Sequence, residues 1–550
     1  MPRRESDVSL SLLGILVLLH ITLVGLFIFV GQPSAWYTPY RTGEGVVAAV
    51  TTDFSWETLP ARKFLDWHDC FPDRQCARLI VPLDHSDPSS TQEATIALIR
   101  KPSIFPPTSK SYRGPILFNP GGPGGSGVDM VQARGDQFST IVGPQFDIVG
   151  FDPRGIGRST PRASFFSTAI ERELWNAADS LNFVTNSSGE GVARTWARAH
   201  LLGKLAERND DGGLRYFNTD QTARDMLSIV RAHGKEKLLY WGFSYGTSLG
   251  AVFASLFPDK VERMILDGVV DSDEYFGNEW SNNLSDANKA LSSFFTSCAH
   301  AGASTCPFWA PTPDAIRTNF TRITESVRAR PIPVLIPQPS ELGKSTATYG
   351  LLDYPILRQA IFRSIYVPYS LFPLLAKGFA ELAEGNGTLL FQRFANGGDK
   401  PPFECSCDSE EKHRWDRVMD PSVAIFCNDN PQIPGDLEWA ENYFERMVHA
   451  SDWADVWAGS LIACQGWPKF PKTNFRGPFG GNTSHPILFI GNTADPVTPL
   501  WGARKMSKVF NGSAVLTQDS AGHCSLSAPS LCTAKHIRLY FATGYERYGH

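Results

Sequence analysis

Gly242-Phe243-Ser244-Tyr245-Gly246 sets a serine between glycines two residues before and two residues after it. The apolar stretch Leu238-Leu239-Tyr240-Trp241 precedes it, and a run that reads as helix, Thr247 to Leu256, follows. In a strand-to-helix turn this tight the neighbouring backbones pass too close for side chains at the flanks, and the serine is exposed at the apex as a nucleophile. A serine hydroxyl needs an imidazole to take its proton, and the imidazole needs a carboxylate to hold its tautomer and stabilise its charged form. His523 is the natural base, in the loop Asp519 to Cys524 behind the short strand Ala514 to Thr517. The acid is Asp495, past the C-terminal end of the buried-strand pattern His485 to Ile490. The rival acid is Asp267, closing the run Val261 to Leu266, but the Asp267-Gly268 step reads better as the start of a lid excursion.

Acyl transfer also needs donors for the oxyanion. The apolar strand Pro115 to Phe118 runs into Asn119-Pro120-Gly121-Gly122-Pro123-Gly124-Gly125-Ser126-Gly127, whose glycines free backbone N–H groups. Gly122 is the expected donor there, and the N–H of Tyr245, just after the nucleophile, is the second. The chain order Ser244, Asp495, His523 is that of the α/β-hydrolases, which predicts a mostly parallel sheet flanked by helices with a large, mainly helical lid inserted. Triad chemistry requires no cofactor, and no cysteine has metal spacing with histidines, so no metal site is expected.

Several blocks resemble the tripeptidyl aminopeptidase and proline iminopeptidase branch of that fold. They are the glycine loop, Phe146 to Ser159 with its Asp152-Pro153-Arg154-Gly155, Thr222-Ala223-Arg224-Asp225, the elbow, and Phe257 to Asp271 after it. Phe489 to Leu500 and His523 are similar to that family's TAP-like C-terminal segment. The resemblance covers roughly residues 76 to 275 and 485 to 532. It implies an enzyme that releases short peptides or single residues from free N-termini, whereas the residues by themselves indicate only a serine hydrolase.

A formal net charge of −5 offers no basic field for nucleic acid, and 42% hydrophobic residues with 14 tryptophans describe a large packed core. The expected organisation is a targeting segment over 1–35, a linker-like lead-in over 36–75, and the first half of the core over 76–275. A lid over 276–480 follows, and the core closes over 481–550. In the first half, Ala77 to Val81 and Ala94 to Ile99 look like an opening strand pair.

Arg3 and Arg4 precede Val8 to Gly31, a stretch without Asp, Glu, Lys or Arg. It exceeds the roughly 20 residues that a spanning helix needs, and no good small-x-small cleavage site follows. The reading is an uncleaved signal anchor through residues 8–31, with the catalytic part lumenal or extracellular; the alternative is a cleaved signal peptide. Sequons at Asn186, Asn283, Asn319, Asn386, Asn482 and Asn511 agree with that compartment. So do the ten cysteines, where Cys70 with Cys76, Cys298 with Cys306, and Cys524 with Cys532 form close-spaced pairs. Cys427 with Cys464 is a plausible lid pair, leaving Cys405 and Cys407. A bridge from Cys524 would brace the His523 loop.

The expected partner is a peptide or a small acyl compound. An exopeptidase must hold a protonated amine, and a charge taken out of water must be paired. Candidate acids are Asp271, Asp273 and Glu274 at the lid entrance, and Asp429, whose Cys427-Asn428-Asp429 resembles a phrase of the family; Asp429 and Glu274 lead. Against the aminopeptidase stand an esterase, lipase or lactonase with the same triad, and a non-catalytic binding module on the same fold.

Overall fold

The computed structural model describes residues 54–179, 184–186, 188–336, 349–395 and 419–544. Within them run β1 (Ala61–Arg62), β2 (His68–Phe71), β3 (Arg74–Pro82), β4 (Glu93–Lys101), β5 (Gly114–Asn119), β6 (Phe146–Phe151), β7 (Leu238–Phe243), β8 (Val261–Asp267), β9 (Ile332–Leu335), β10 (Tyr349–Leu352), β11 (Leu488–Ala494) and β12 (Ala514–Ala521). Ten of these form one sheet in the order β1-β3-β4-β6-β5-β7-β8-β11-β12, with β2 paired on β3. From β6 to β12 every pairing is parallel, while β4 runs antiparallel to both β3 and β6.

The sequence of the middle strands explains their place. Every residue of β5, β6 and β7 is buried, the continuous apolar pattern of parallel strands covered on both faces. Side chains alternate between two cores. Ile116, Phe118, Leu239 and Trp241 pack with Val131 and Phe138 of helix Gly127–Val142 and with Tyr540 of helix Leu531–Thr543. Leu117, Leu238 and Tyr240 face Met226 of helix Thr219–Ala232 and Leu249 of helix Tyr245–Leu256.

Register carries the functional consequence. Asn119 pairs with Gly242, Phe243 with Asp267, and Asp267 with Ile490. The C-terminal ends of β5, β7, β8 and β11 therefore stand side by side, where open parallel sheets keep their sites. The chain between the adjacent strands β8 and β11 is the lid, built largely of helices from Ala287–Ala301 to Ala454–Ile462 with the small hairpin β9–β10. The helical pattern over Pro355 to Phe379 is two helices, Tyr354–Tyr366 and Pro368–Ala383, because the residue before a proline leaves the α region.

The lead-in departs from expectation. Rather than a linker, it contributes β1 and β2 to the sheet edge, and Trp56 and Leu59 are buried there. Residues 8–31, expected to span a membrane, lie outside the described residues, and among the described residues no helix is long and apolar enough to cross one.

Candidate active site

Ser244 stands between β7 and helix Tyr245–Leu256 at φ 56°, ψ −126°. A serine at positive φ is uncommon and costs about 1–3 kcal/mol, so its surroundings must enforce it. They do: Ser244 N–H is donated to Asp267 O at 3.0 Å and Thr247 N–H to Ser244 O at 2.8 Å. A Cβ on Gly242 would lie 2.4 Å from Gly246 O, and one on Gly246 would lie 2.8 Å from Asn119 Oδ1, which is why the flanking positions are glycine.

The glycine loop rests directly on this turn. Gly121, at φ 90°, approaches so closely that a Cβ there would be 2.3 Å from Phe243 O and 2.9 Å from Ser244 Cβ. Gly121 N–H is donated to Asn119 Oδ1 at 3.0 Å, and Gly125 N–H to Gly121 O at 3.0 Å. The described backbone bonds leave the N–H of Gly122 unspent, and Tyr245, as the first helical residue, has no partner within its helix. Tyr245 directly follows Ser244, and Gly122 adjoins Gly121, the loop residue packed on the serine turn.

His523 and Asp495 meet. Nδ1 lies 3.0 and 3.1 Å from the two carboxylate oxygens, with Thr498 Oγ1 also 3.1 Å away. The carboxylate further accepts the N–H groups of Val497 (3.1 Å), Thr498 (2.9 Å) and Cys524 (2.9 Å). Burial alone would push the Asp495 pKa up, but the charge and hydrogen bond of His523, with the backbone donors, hold it below the ordinary carboxylate range. Engaging Nδ1 leaves Nε2 as the nitrogen for proton transfer. The loop is anchored by Asn492, whose Nδ2 donates to Gly522 O and Cys524 O, and by the lid, where Tyr366 O accepts His523 N–H at 2.8 Å.

Asp267 is not with the imidazole. It accepts Ser525 N–H at 2.7 Å, Ser525 Oγ–H and Trp241 Nε1–H, so it ties the histidine loop to β8. Complete burial pushes its pKa up to about 6 despite those donors, with Asp495 adding repulsion.

The expected bridge between Cys524 and Cys532 does not form. Cys524, at φ 61°, turns its thiol inward to donate to Asp267 O at 3.4 Å, while Cys532 is exposed on the last helix. The other three expected pairs, Cys70–Cys76, Cys298–Cys306 and Cys427–Cys464, are disulfides; Cys405 and Cys407 lie outside the described residues. Asp495, His523 and Cys524 bring metal-ligand atoms within 4.8 Å of one another. The carboxylate is already taken up by four hydrogen-bond donors, His523 Nδ1 and three backbone N–H groups, an arrangement of an acid orienting a base.

The two leading amine-binding candidates differ sharply. Asp429 is fully buried, with Oδ1 accepting Thr219 N–H at 2.8 Å and Oδ2 accepting Thr219 Oγ1–H at 2.5 Å and Tyr275 OH at 3.0 Å. Each of its oxygens already accepts at least one hydrogen bond. Glu274 is partly exposed; Oε1 accepts Asn282 Nδ2–H at 2.7 Å, and Oε2 is buried without a hydrogen-bond partner among the described residues. Burial raises its pKa above the ordinary carboxylate value. Asp271 and Asp273 pair with Lys505. Sequence reasoning missed Thr498, Tyr366, Thr219 and Ser422, which all touch this machinery. Of these only Thr498 carried a signal, standing three residues after the acid.

A family model described as alpha/beta hydrolase fold matches residues 114–296, and one described as TAP-like protein matches residues 450–547. Serine protease Hip1 of Mycobacterium tuberculosis is 26% identical over 476 residues, covering 85% of each chain. Tripeptidyl aminopeptidase of Streptomyces lividans is 27% identical over 510 residues, covering 88% of this chain and 85% of that protein. Carboxylesterase B of Mycobacterium tuberculosis is 27% identical over 519 residues, covering 93% and 91%. The first matched segment contains the elbow and the second contains Asp495 and His523, so the likeness falls on the same residues as the geometry: the chain is an α/β-hydrolase similar to the TAP family, and a serine hydrolase.

Proposed function

We propose that Ser244 attacks the carbonyl carbon of a peptide near its free N-terminus, and that the enzyme is an aminopeptidase working in the secretory pathway. His523 takes the hydroxyl proton through Nε2 as the Ser244 Oγ–C bond forms, and Asp495 stabilises the imidazolium. The N–H groups of Gly122 and Tyr245 receive the oxyanion. His523 then protonates the departing amine, and water hydrolyses the acyl-enzyme by the same sequence. The observation that supports this reading most is the Asp495–His523 contact at 3.0 Å, two β-strand ends away from a strained, partly buried serine.

Glu274 is the preferred acid for the substrate amine, because its Oε2 is buried without a partner among the described residues while both oxygens of Asp429 already accept hydrogen bonds. Leaving one member of a buried ion pair without its partner costs about 3–5 kcal/mol, roughly two to three or more orders of magnitude in rate. Free-amine peptides should therefore be cleaved far faster than their N-acetylated forms, and Glu274→Gln should erase the difference. A panel of peptide amides, acetylated peptides and short acyl esters tests this. Turnover of esters alone would favour the esterase reading, which the likeness to a protein named carboxylesterase B keeps open.

Three disulfides agree with an oxidising compartment. Among the sequon asparagines, Asn386, Asn482 and Asn511 are exposed, whereas Asn283 is buried and a poor acceptor. Residues 8–31 would act as the anchor. Carbonate extraction that leaves the protein in the pellet supports it, and a mature N-terminus near Trp36 overturns it in favour of a cleaved signal peptide.

A further inference from the structure

One lid helix, Asp420–Asp429, reaches both sides of the oxyanion hole. At its start, Ser422 Oγ donates to Pro123 O at 2.6 Å, in the glycine loop that carries Gly122. The contact is tight: a Cβ on Gly124 would lie 2.2 Å from Ser422 Oγ. At its end, Asp429 accepts two hydrogen bonds from Thr219, whose Oγ1 in turn accepts the phenol of Tyr245. Because Thr219 Oγ1–H is committed to Asp429, the phenol must be the donor in that last bond. Tyr245 and Tyr275, which also donates to Asp429, pack with ring centroids 5.7 Å apart.

The helix is held independently at both ends. Asp420 accepts Phe165 N–H and pairs with Arg172. Asn428 Nδ2 donates to Leu214 O and Phe217 O, and Cys427 is bridged to Cys464. Its distance from the sheet is thereby set by contacts that do not involve the hole. The helix that touches the hole is thus also held by contacts outside it.

We propose that this helix sets the spacing of the two oxyanion donors, with Ser422 positioning the Gly122 side and Asp429, through Thr219, positioning Tyr245. This rests on the reading of Ser244 as nucleophile and of Gly122 and Tyr245 as donors. The chemistry demands such support, since a donor displaced from the oxyanion loses most of its effect and removal of one donor costs about 10²–10³-fold in kcat. Ser422 and Asp429 touch no reacting atom and act only through the loop and through Thr219. A lid helix then does more than cover the substrate: it ties lid placement to transition-state stabilisation.

The test compares the full-length wild type with Ser422→Ala, Ser422→Thr and Asp429→Asn, using a free-amine peptide amide, a short acyl ester, and a peptide boronate that forms a tetrahedral adduct on the serine. Ser422→Ala and Asp429→Asn should each lower kcat about tenfold or more on both substrates with KM within about threefold. Boronate affinity should fall in parallel with kcat, while affinity for a product peptide should not change. Ser422→Thr should recover most of the loss. Unchanged kcat in Ser422→Ala, or a loss of kcat with boronate affinity intact, overturns the proposal; if Asp429→Asn does not fold, the Ser422 pair decides. A wild type that a fluorophosphonate fails to label at Ser244 would instead refute the nucleophile assignment.

Discussion

The backbone carbonyl of Tyr366 accepts the N–H of His523 at 2.8 Å, and the Tyr366 ring stands edge-on to the imidazole with centroids 5.0 Å apart. Tyr366 ends a lid helix, so the candidate base is held by the lid as well as by the sheet. Pro368 adds to this, lying where a Cβ on Gly522 would be 2.7 Å from its Cδ. Tyr366→Ala should lower kcat about twofold to tenfold with little change in KM, the magnitude of an aromatic contact worth about 0.5–1.5 kcal/mol. Tyr366→Phe should behave as wild type, and a defect there would mean the phenol acts in another way.

Ser244→Ala should abolish hydrolysis, and His523→Ala should lose activity to a similar degree, on the order of 10⁶-fold, because members of a triad act as a unit. A fluorophosphonate should label Ser244 alone. Persistent labelling of Ser244→Ala would remove the serine from its role.

The two buried acids at neighbouring strand ends should separate by experiment. Asp495→Asn should cost about 10⁴-fold in kcat through loss of the productive histidine tautomer. Asp267→Asn leaves the imidazole its partner and disturbs the Ser525 anchor and the Trp241 contact, so its effect should fall mainly on thermal stability. Comparable kcat losses in both would show that the acid is shared.

Stability should peak on the acidic side of neutrality. Burial pushes Asp429 up to about 7, opposed by hydrogen bonds from Thr219 and Tyr275 and by the charge of Lys472, and it pushes Asp267 up to about 6. Between about pH 4 and 7 the folded chain holds protons there that the unfolded chain has released, so stability from these two groups falls as pH rises through that window. Asp495 and Asp225 act oppositely. Burial disfavours their charged forms, but His523 and Arg154 respectively hold them below the ordinary range, so their contribution is present above about pH 4 and is lost on further acidification. Melting temperatures should be highest near pH 5, and Asp429→Asn should flatten the decline from pH 5 to 7. A wild-type melting temperature that climbs steadily from pH 5 to 8 would contradict this.

Thiol chemistry checks the cysteine assignment. Iodoacetamide should label Cys532 in the folded protein and Cys524 only after unfolding, while Cys70, Cys76, Cys298, Cys306, Cys427 and Cys464 stay blocked until reductant is added. A crosslinked peptide joining Cys524 to Cys532 would refute the free thiols.

Local chemistry made much of this molecule legible in one dimension. Glycine at 242 and 246, the glycine loop after an apolar strand, and the buried-strand runs each satisfy a constraint met within a few residues, so the elbow, the glycine loop packed on it and the α/β-hydrolase order of Ser244, Asp495 and His523 could be read directly. Three short-range or lid disulfides were readable for a related reason, since their loops close cheaply. Tertiary packing decided what depends on partners far along the chain. It gave Asp495 rather than Asp267 to the imidazole, and it turned Cys524 under β8 instead of toward Cys532. It also enclosed Asp429 among Thr219 and Tyr275, some 210 and 154 residues distant in sequence, while leaving an oxygen of Glu274 unpaired. A carboxylate in a sequence carries no mark of which donors will surround it, because those donors are brought together only when the lid closes on the sheet and water is expelled from between them.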